Sequence, residues 1–261
     1  MFKAKRAVNN KKSRMMLGAV FVCCSFITGF LGGALANVVF ERSESGIPIA
    51  NTSSEKVETA PLSTSQIVAL VEESVVEVRT KINSNGKKGE GAGSGVIVRE
   101  DGYIATNAHV VEGAQSISVT LRNGNVYTAD LVGKDEQKDV AVLKINASGL
   151  SAVTFADSDS IDVGENVVVI GNALGTLGGS VTDGIISAVD RKLIIDDEEM
   201  TLIQTDAEIN HGNSGGGMFG STGKCLGIIV AKSTGEDVEG VGFAIPANVV
   251  KAVVDGHITT V

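Results

Sequence analysis

From residue 75 onward the apolar positions of this chain fall in short runs, not in a helical stripe. The runs lie at 75–80, 95–99, 103–107, 116–121, 126–133, 140–145, 166–171, 181–189, 201–205, 225–231 and 241–245, and most are rich in Val and Ile. Gly, Asn and Asp turns separate them. β-branched side chains pack well on a pleated surface, so many short strands broken by turn residues predict a sandwich or barrel. Asn123-Gly124, between two of the runs, predicts a two-residue hairpin turn. The glycine-rich stretch from Asn83 to Gly95 reads as a mobile loop, and it is no phosphate cradle because no GK[ST] follows.

Helical pattern flanks this body on both sides. Ser63-Thr64-Ser65 offers N-cap hydroxyls ahead of a short helix from Gln66 to about Glu73, with Ile67, Val68, Leu70 and Val71 as its apolar side. Pro246 suits the start of a second helix running to Val254. The body, residues 65–261, is therefore expected to be all-β with short flanking helices.

The N-terminal pattern is different. Residues 15–40 carry no charge, and those 26 positions would span about 39 Å as a helix, against roughly 30 Å of bilayer core. The first 14 residues hold six basic side chains and no acidic ones. A basic flank stays cytoplasmic, which predicts a single transmembrane signal-anchor with the body outside the cell membrane. Ala34-Leu35-Ala36 keeps a cleaved signal, and hence a secreted body, as the alternative. The apolar run before it is longer than the roughly 7–15 residues of a signal core, which favours the anchor. Residues 41–64 are mostly polar, without period, and read as a flexible linker.

Removing the six tail charges from the formal −9 leaves −15 for residues 15–261. Phosphate backbones need a basic face, so nucleic acid is not an expected partner. Beyond the apolar segment the only cysteine is Cys225, in the run CLGIIV, so this exported body has no internal disulfide and must rely on core packing. Cys225 reads as a core thiol. No His/Cys/Asp spacing suits a closed metal site, and no cofactor is expected.

Chemistry enters with Gly212-Asn213-Ser214-Gly215-Gly216. A glycine-flanked serine in a tight turn can present its hydroxyl, and the amides of Gly212 and Ser214 can converge as an oxyanion hole. A serine hydroxyl is a poor nucleophile until a base takes its proton, and an imidazole oriented by a buried carboxylate does this near neutral pH. Thr106-Asn107-Ala108-His109 and Lys138-Asp139, each beside an apolar run, supply those two groups. His211 and His257 lie in poorer contexts.

These residues, in the order His109, Asp139, Ser214, resemble the HtrA (Do-like, Deg) branch of the chymotrypsin-fold serine proteases. Gly93-Ser94-Gly95-Val96-Ile97, TNAHVV at 106–111, DVAVLKI at 139–145, IQTDAEIN at 203–210, GNSGG and GVGFAIP at 240–246 carry the resemblance, which runs from about residue 65 to 250. It implies a chymotrypsin-like double β-barrel, with a boundary near 155–164. It also implies a serine endopeptidase acting on unfolded or misfolded polypeptides in protein quality control, often as a homotrimer. A non-catalytic chaperone or binding module on the same fold, or a narrow processing protease, are the alternatives.

Departures from the pattern sharpen the expectations. Asn213 stands where the trypsin branch has an Asp that pairs with a freed N-terminus, so loop ordering is the expected switch. The chain ends at Val261, which implies a member without a PDZ domain. By resemblance Glu208, Ile209, Ala231, Lys232 and Ser233 line the specificity pocket. An unpaired Glu208 would favour basic P1 residues; a Glu208 neutralised by Lys232 would leave small apolar ones preferred.

Overall fold

The structure is a computed structural model, and it describes residues 60–84, 87–173, 177–195, 198–231 and 240–258. The expected anchor at 15–40 and linker at 41–64 lie, but for the linker's last residues, outside the described residues. Among the described residues no helix is long and apolar enough to cross a membrane.

Twelve strands close into two antiparallel barrels. The first holds β1 (Val75–Ser84), β2 (Lys87–Ile97), β3 (Tyr103–Thr106), β4 (Ala114–Thr120), β5 (Val126–Asp135) and β6 (Val140–Ile145), in the order β1-β2-β3-β6-β5-β4. The second holds β7 (Asn166–Ala173), β8 (Leu177–Ile195), β9 (Glu198–Thr205), β10 (Gly217–Gly220), β11 (Cys225–Val230) and β12 (Gly242–Pro246), in the order β10-β11-β12-β9-β8-β7. The linker between barrels, 146–165, covers the boundary expected from the sequence.

The continuous apolar run of β6 has a two-sided explanation. Ala141, Leu143 and Ile145 point into the first barrel with Val78, Ile97, Ile104 and Val119. Val140 and Val142 point the other way, into a core shared with Val168, Ile170, Phe219 and Ile228 of the second barrel and with both helices. Alternation of period two, with both faces buried, gives a strand with no polar face. Val167, Val169, Ile186, Ile203, Met218 and Ile229 fill the second barrel.

Helix α1 (Thr64–Val71) starts on a capping box: Ser63 Oγ accepts from Gln66 N–H at 3.4 Å, and Gln66 Oε1 accepts from Ser63 N–H at 2.9 Å. It buries Ile67 and Val71, and a short 3₁₀ turn, Glu72–Ser74, leads into β1. Helix α2 (Ala247–His257) runs three residues past the expected end, buries Val250, Val253 and Val254, and lays the His257 ring over Gly133 of β5. Its second residue is tied to the inter-barrel linker, since Asn248 N–H donates to Ser158 Oγ at 3.1 Å and Asn248 Nδ2 to Asp157 Oδ1 at 2.8 Å.

Two expectations are corrected. Asn83 to Gly95 is no loop over most of its length: β2 pairs with β1 from Ser84↔Lys87 to Val75↔Val96. A Cβ on Gly91, Gly93 or Gly95 would lie 2.5 Å from Thr80 Oγ1, 2.8 Å from Val110 and 2.7 Å from Ile104. Every second residue there faces a neighbour that leaves no space for a side chain, so a strand is written in glycine. Strand β10 was not expected either, because its two glycines and the preceding GNSGG read as turn.

Candidate active site

Register brings two distant residues together. β3 and β6 are neighbours with Thr106 opposite Ala141, so the segments just beyond these positions, His109 and Asp139, meet at one end of the first barrel. His109 opens a 3₁₀ turn, His109–Val111, and Asp139 immediately precedes β6. The Asp139 carboxylate lies 2.8 Å (Oδ2) and 3.0 Å (Oδ1) from His109 Nδ1, and Oδ1 also accepts from His109 N–H at 3.0 Å. Asp139 is 3% exposed, so this pairing is shielded from water. The contact suits the tautomer with the proton on Nδ1, which leaves Nε2 able to accept one.

Asp139 has φ +52°, a left-handed conformation that Asp tolerates better than most residues but that still costs on the order of 1 kcal/mol. The peptide groups on both sides of it are held. Asp139 N–H donates to Glu136 O at 3.2 Å, and Asn107 Nδ2 donates to Asp139 O at 3.1 Å.

Ser214 sits in the turn that enters β10, 5% exposed. Gly212 (φ +95°) and Gly215 (φ +82°) take left-handed conformations, and a Cβ on Gly215 would lie 2.1 Å from Ser94 O. Glycine is required there both for backbone and for space. Asn213 N–H donates to Asn210 O at 3.0 Å and Gly216 N–H to Asn213 O at 2.8 Å, which tightens the turn. Among the described residues neither Gly212 N–H nor Ser214 N–H has an acceptor. The hydroxyl itself accepts from Ala231 N–H at 3.2 Å, and among the described residues no hydrogen bond joins it to His109.

Two residues near the site were not singled out from sequence. Ser94 of β2 is fully buried and ties the first barrel to the serine turn. Its N–H donates to Ser214 O at 2.7 Å, its Oγ donates to Gly212 O and accepts from Asn172 N–H, both at 2.8 Å, and its O accepts from Thr106 Oγ1 at 2.7 Å. Asn107 is the other. Both stand inside motifs quoted above, but a serine between glycines reads as loop chemistry and an Asn before Ala-His carries no period.

Of the expected pocket residues, Ile209 packs on the second-barrel core and lies over Gly242, where a Cβ would come within 2.4 Å of Ile209 Cγ1. Glu208 is exposed, its carboxylate accepting from Asn210 Nδ2 at 3.0 Å and its carbonyl from Thr182 Oγ1 at 3.0 Å. Ala231 is partly exposed beside Ser214; Lys232 and Ser233 lie outside the described residues. His211 is exposed. Cys225 is buried in the shared core, where burial pushes its thiol up to about 12 and its S–H donates to Gly227 O at 3.3 Å, so it is inert at neutral pH.

The trypsin-like peptidase domain matches residues 93–228, just over half of the chain. Among curated proteins the chain is 47% identical over 171 residues to the serine protease Do-like HtrB of Bacillus subtilis, covering 62% of this chain and 37% of that protein. It is 46% identical over 161 residues to the serine endoprotease DegS of Haemophilus influenzae, covering 60% and 47%. With the probable periplasmic serine endoprotease DegP-like of Halomonas elongata it shares 49% over 166 residues, covering 62% and 34%. The chain thus spans less than half the length of these relatives. The solved structure of the HtrA-type protease AlgW with tripeptide superposes with a TM-score of 0.67 at 39% identity, covering 74% of this chain and 63% of that one. The chain belongs to the trypsin-like peptidase family and is a homologue of the HtrA-type (Do-like) serine proteases.

Proposed function

We propose that this chain is a serine endopeptidase that hydrolyses unfolded or damaged polypeptides outside the cytoplasm. The observation that carries the reading is the buried Asp139 carboxylate paired with His109 Nδ1, together with a serine turn whose Gly212 and Ser214 amides have no acceptor among the described residues. In the reaction His109 Nε2 takes the Ser214 Oγ proton as the oxygen attacks the scissile carbonyl. The carbonyl oxygen becomes an oxyanion held by the two amides. The tetrahedral intermediate collapses, the C–N bond breaks, and His109 gives its proton to the leaving amine. Water, deprotonated by the same imidazole, then releases the acyl group from Ser214.

The Ser214 hydroxyl must first leave Ala231 N–H; catalytic hydrogen bonds often tighten only when substrate is bound. Ala231 N–H, just past the end of β11, can instead donate to a carbonyl of an incoming peptide, freeing the serine. Ile209 over Gly242 places an apolar side chain at a position where the resemblance puts the specificity pocket, while the Glu208 carboxylate is exposed and accepts from Asn210 Nδ2. Small apolar P1 residues fit this arrangement.

Residues 15–40 serve as the membrane anchor in this reading, the basic tail staying inside, and the working assembly is a homotrimer. Relatives named as periplasmic endoproteases support the compartment. The one observation that favours a non-catalytic binding module is the same Ser214–Ala231 hydrogen bond. Hydrolysis of reduced casein by the full chain, lost in Ser214→Ala, supports the peptidase; equal hydrolysis by the variant, or none by either, overturns it.

A further inference from the structure

Asn107 is fully buried between β3 and the His109 turn, and the reaction above gives it no step. Its Nδ2 donates to Asp139 O at 3.1 Å, while its Oδ1, equally buried, has no partner among the described residues. A buried amide satisfied on one side only destabilises the fold relative to an apolar side chain of similar size. Asp139, the residue it holds, adds backbone strain at φ +52°. Two local costs therefore meet at one contact, and Asn107 stands two positions before His109.

We propose that Asn107 is a positioning residue for the His109–Asp139 pair, holding the Asp139 carbonyl so that the carboxylate stays aimed at the imidazole. The inference rests on the serine peptidase reading. Its geometry is direct. Fixing Asp139 O fixes the peptide plane after Cα, and the bond from Asp139 N–H to Glu136 O fixes the plane before it. With both planes set, the direction of Cα–Cβ is set, and only the side-chain torsions remain. The bonds from His109 N–H and Nδ1 then settle those. Without the amide, Asp139 can relax towards an ordinary right-handed or extended conformation, which swings the carboxylate away from Nδ1. The ring would then lose both its tautomer and its aim.

The test compares the full chain with Asn107→Leu, which fills the site without a donor, and Asn107→Ala, which empties it. The expected result is a kcat on casein-derived peptides lowered on the order of 10²-fold with KM unchanged, the size of effect a small misplacement of a reacting group produces. In the Leu variant the loss of the donor to Asp139 O offsets the removal of the unpartnered Oδ1, so its melting temperature stays close to that of the parent. In proton NMR the low-field Nδ1–H resonance of His109 is lost or moves upfield in both variants. Should the Leu variant not fold, the Ala variant carries both the kinetic and the NMR readouts. A parent-like kcat in a folded variant, or an unmoved low-field resonance, would overturn the proposal. Labelling of the parent at Ser214 by a fluorophosphonate is measured alongside: a parent that does not label sinks the peptidase reading and this inference with it, whereas a labelled parent with fully active variants sinks this inference alone.

Discussion

Ser214 Oγ accepts a hydrogen bond from the backbone N–H of Ala231, 3.2 Å away, just past the end of β11. Ser214, the proposed nucleophile, is thus held on the second barrel, while His109, its proposed base, is held on the first. That arrangement separates the stability of the site from its chemistry, and the two respond differently to substitution.

Ser214→Ala removes one acceptor from a partly buried N–H, which costs about 1 kcal/mol of stability. It also removes the nucleophile, so kcat falls on the order of 10⁶-fold. A thermal melt close to that of the parent, with no detectable peptidase activity, is the expected pair of results. Activity that survives in the variant contradicts the role of Ser214.

Ser94→Ala tests the tie between the barrels. The variant strands Gly212 O and Asn172 N–H in the interior and frees the turn that carries the two amides. Loss of one oxyanion donor in a serine protease costs about 10²–10³ in kcat, and a loosened turn is expected to approach the lower figure. Steady-state kinetics on a chromogenic peptide measure it. A lowered melting temperature with parent-like kcat would make Ser94 a packing residue only.

The proposed P1 preference turns on Ile209. With its side chain over Gly242 and Glu208 held outward by Asn210, cleavage in a peptide library should fall after Val, Ala and Ile. Ile209→Ala deepens the pocket and shifts cleavage towards larger apolar residues. Dominant cleavage after Arg or Lys, lost in Glu208→Ala, would show instead that Glu208 reaches the substrate.

The clamp between α2 and the inter-barrel linker has a pH signature. The Asp157 carboxyl is held below the usual carboxylate range by the side-chain bond from Asn248 and then by Asp159 N–H. A depressed folded-state value contributes stability that is present above the unfolded value of about 3.9 and lost as pH falls through the folded one. Asn248→Ala should therefore lower the melting temperature at pH 7, with the gap to the parent closing below about pH 4. A gap that is independent of pH would place the effect of Asn248 in helix packing alone.

How much of this could be read in the sequence depends on the kind of signal. His109 and Asp139, which the structure pairs, stood out because each lies beside an apolar run, and Ser214 stood out because glycines flank it. The strand β6 was legible from a continuous apolar run, although its two-sided burial needed the second barrel. β2 was not, because its glycines answer to Thr80, Val110 and Ile104, residues near in space and not in sequence. Ser94 and Asn107 escaped for a related reason. Their work is done through hydrogen bonds to residues 118 and 32 positions away, and nothing in local composition marks such a partner. The tilt of Glu208 towards Asn210 in place of the pocket floor is likewise a rotamer outcome, invisible to residue type.

The central claim is that His109, oriented by Asp139, activates Ser214. The most direct measurement is the rate of labelling by a fluorophosphonate, with the modified peptide mapped by mass spectrometry, in the full chain and in His109→Ala and Asp139→Asn. The account predicts labelling of the parent at Ser214 alone, and labelling slowed by about 10⁴-fold in Asp139→Asn and at least as much in His109→Ala, both variants being folded. Labelling at parent rates in those variants, or a folded parent that does not label at Ser214, would contradict it.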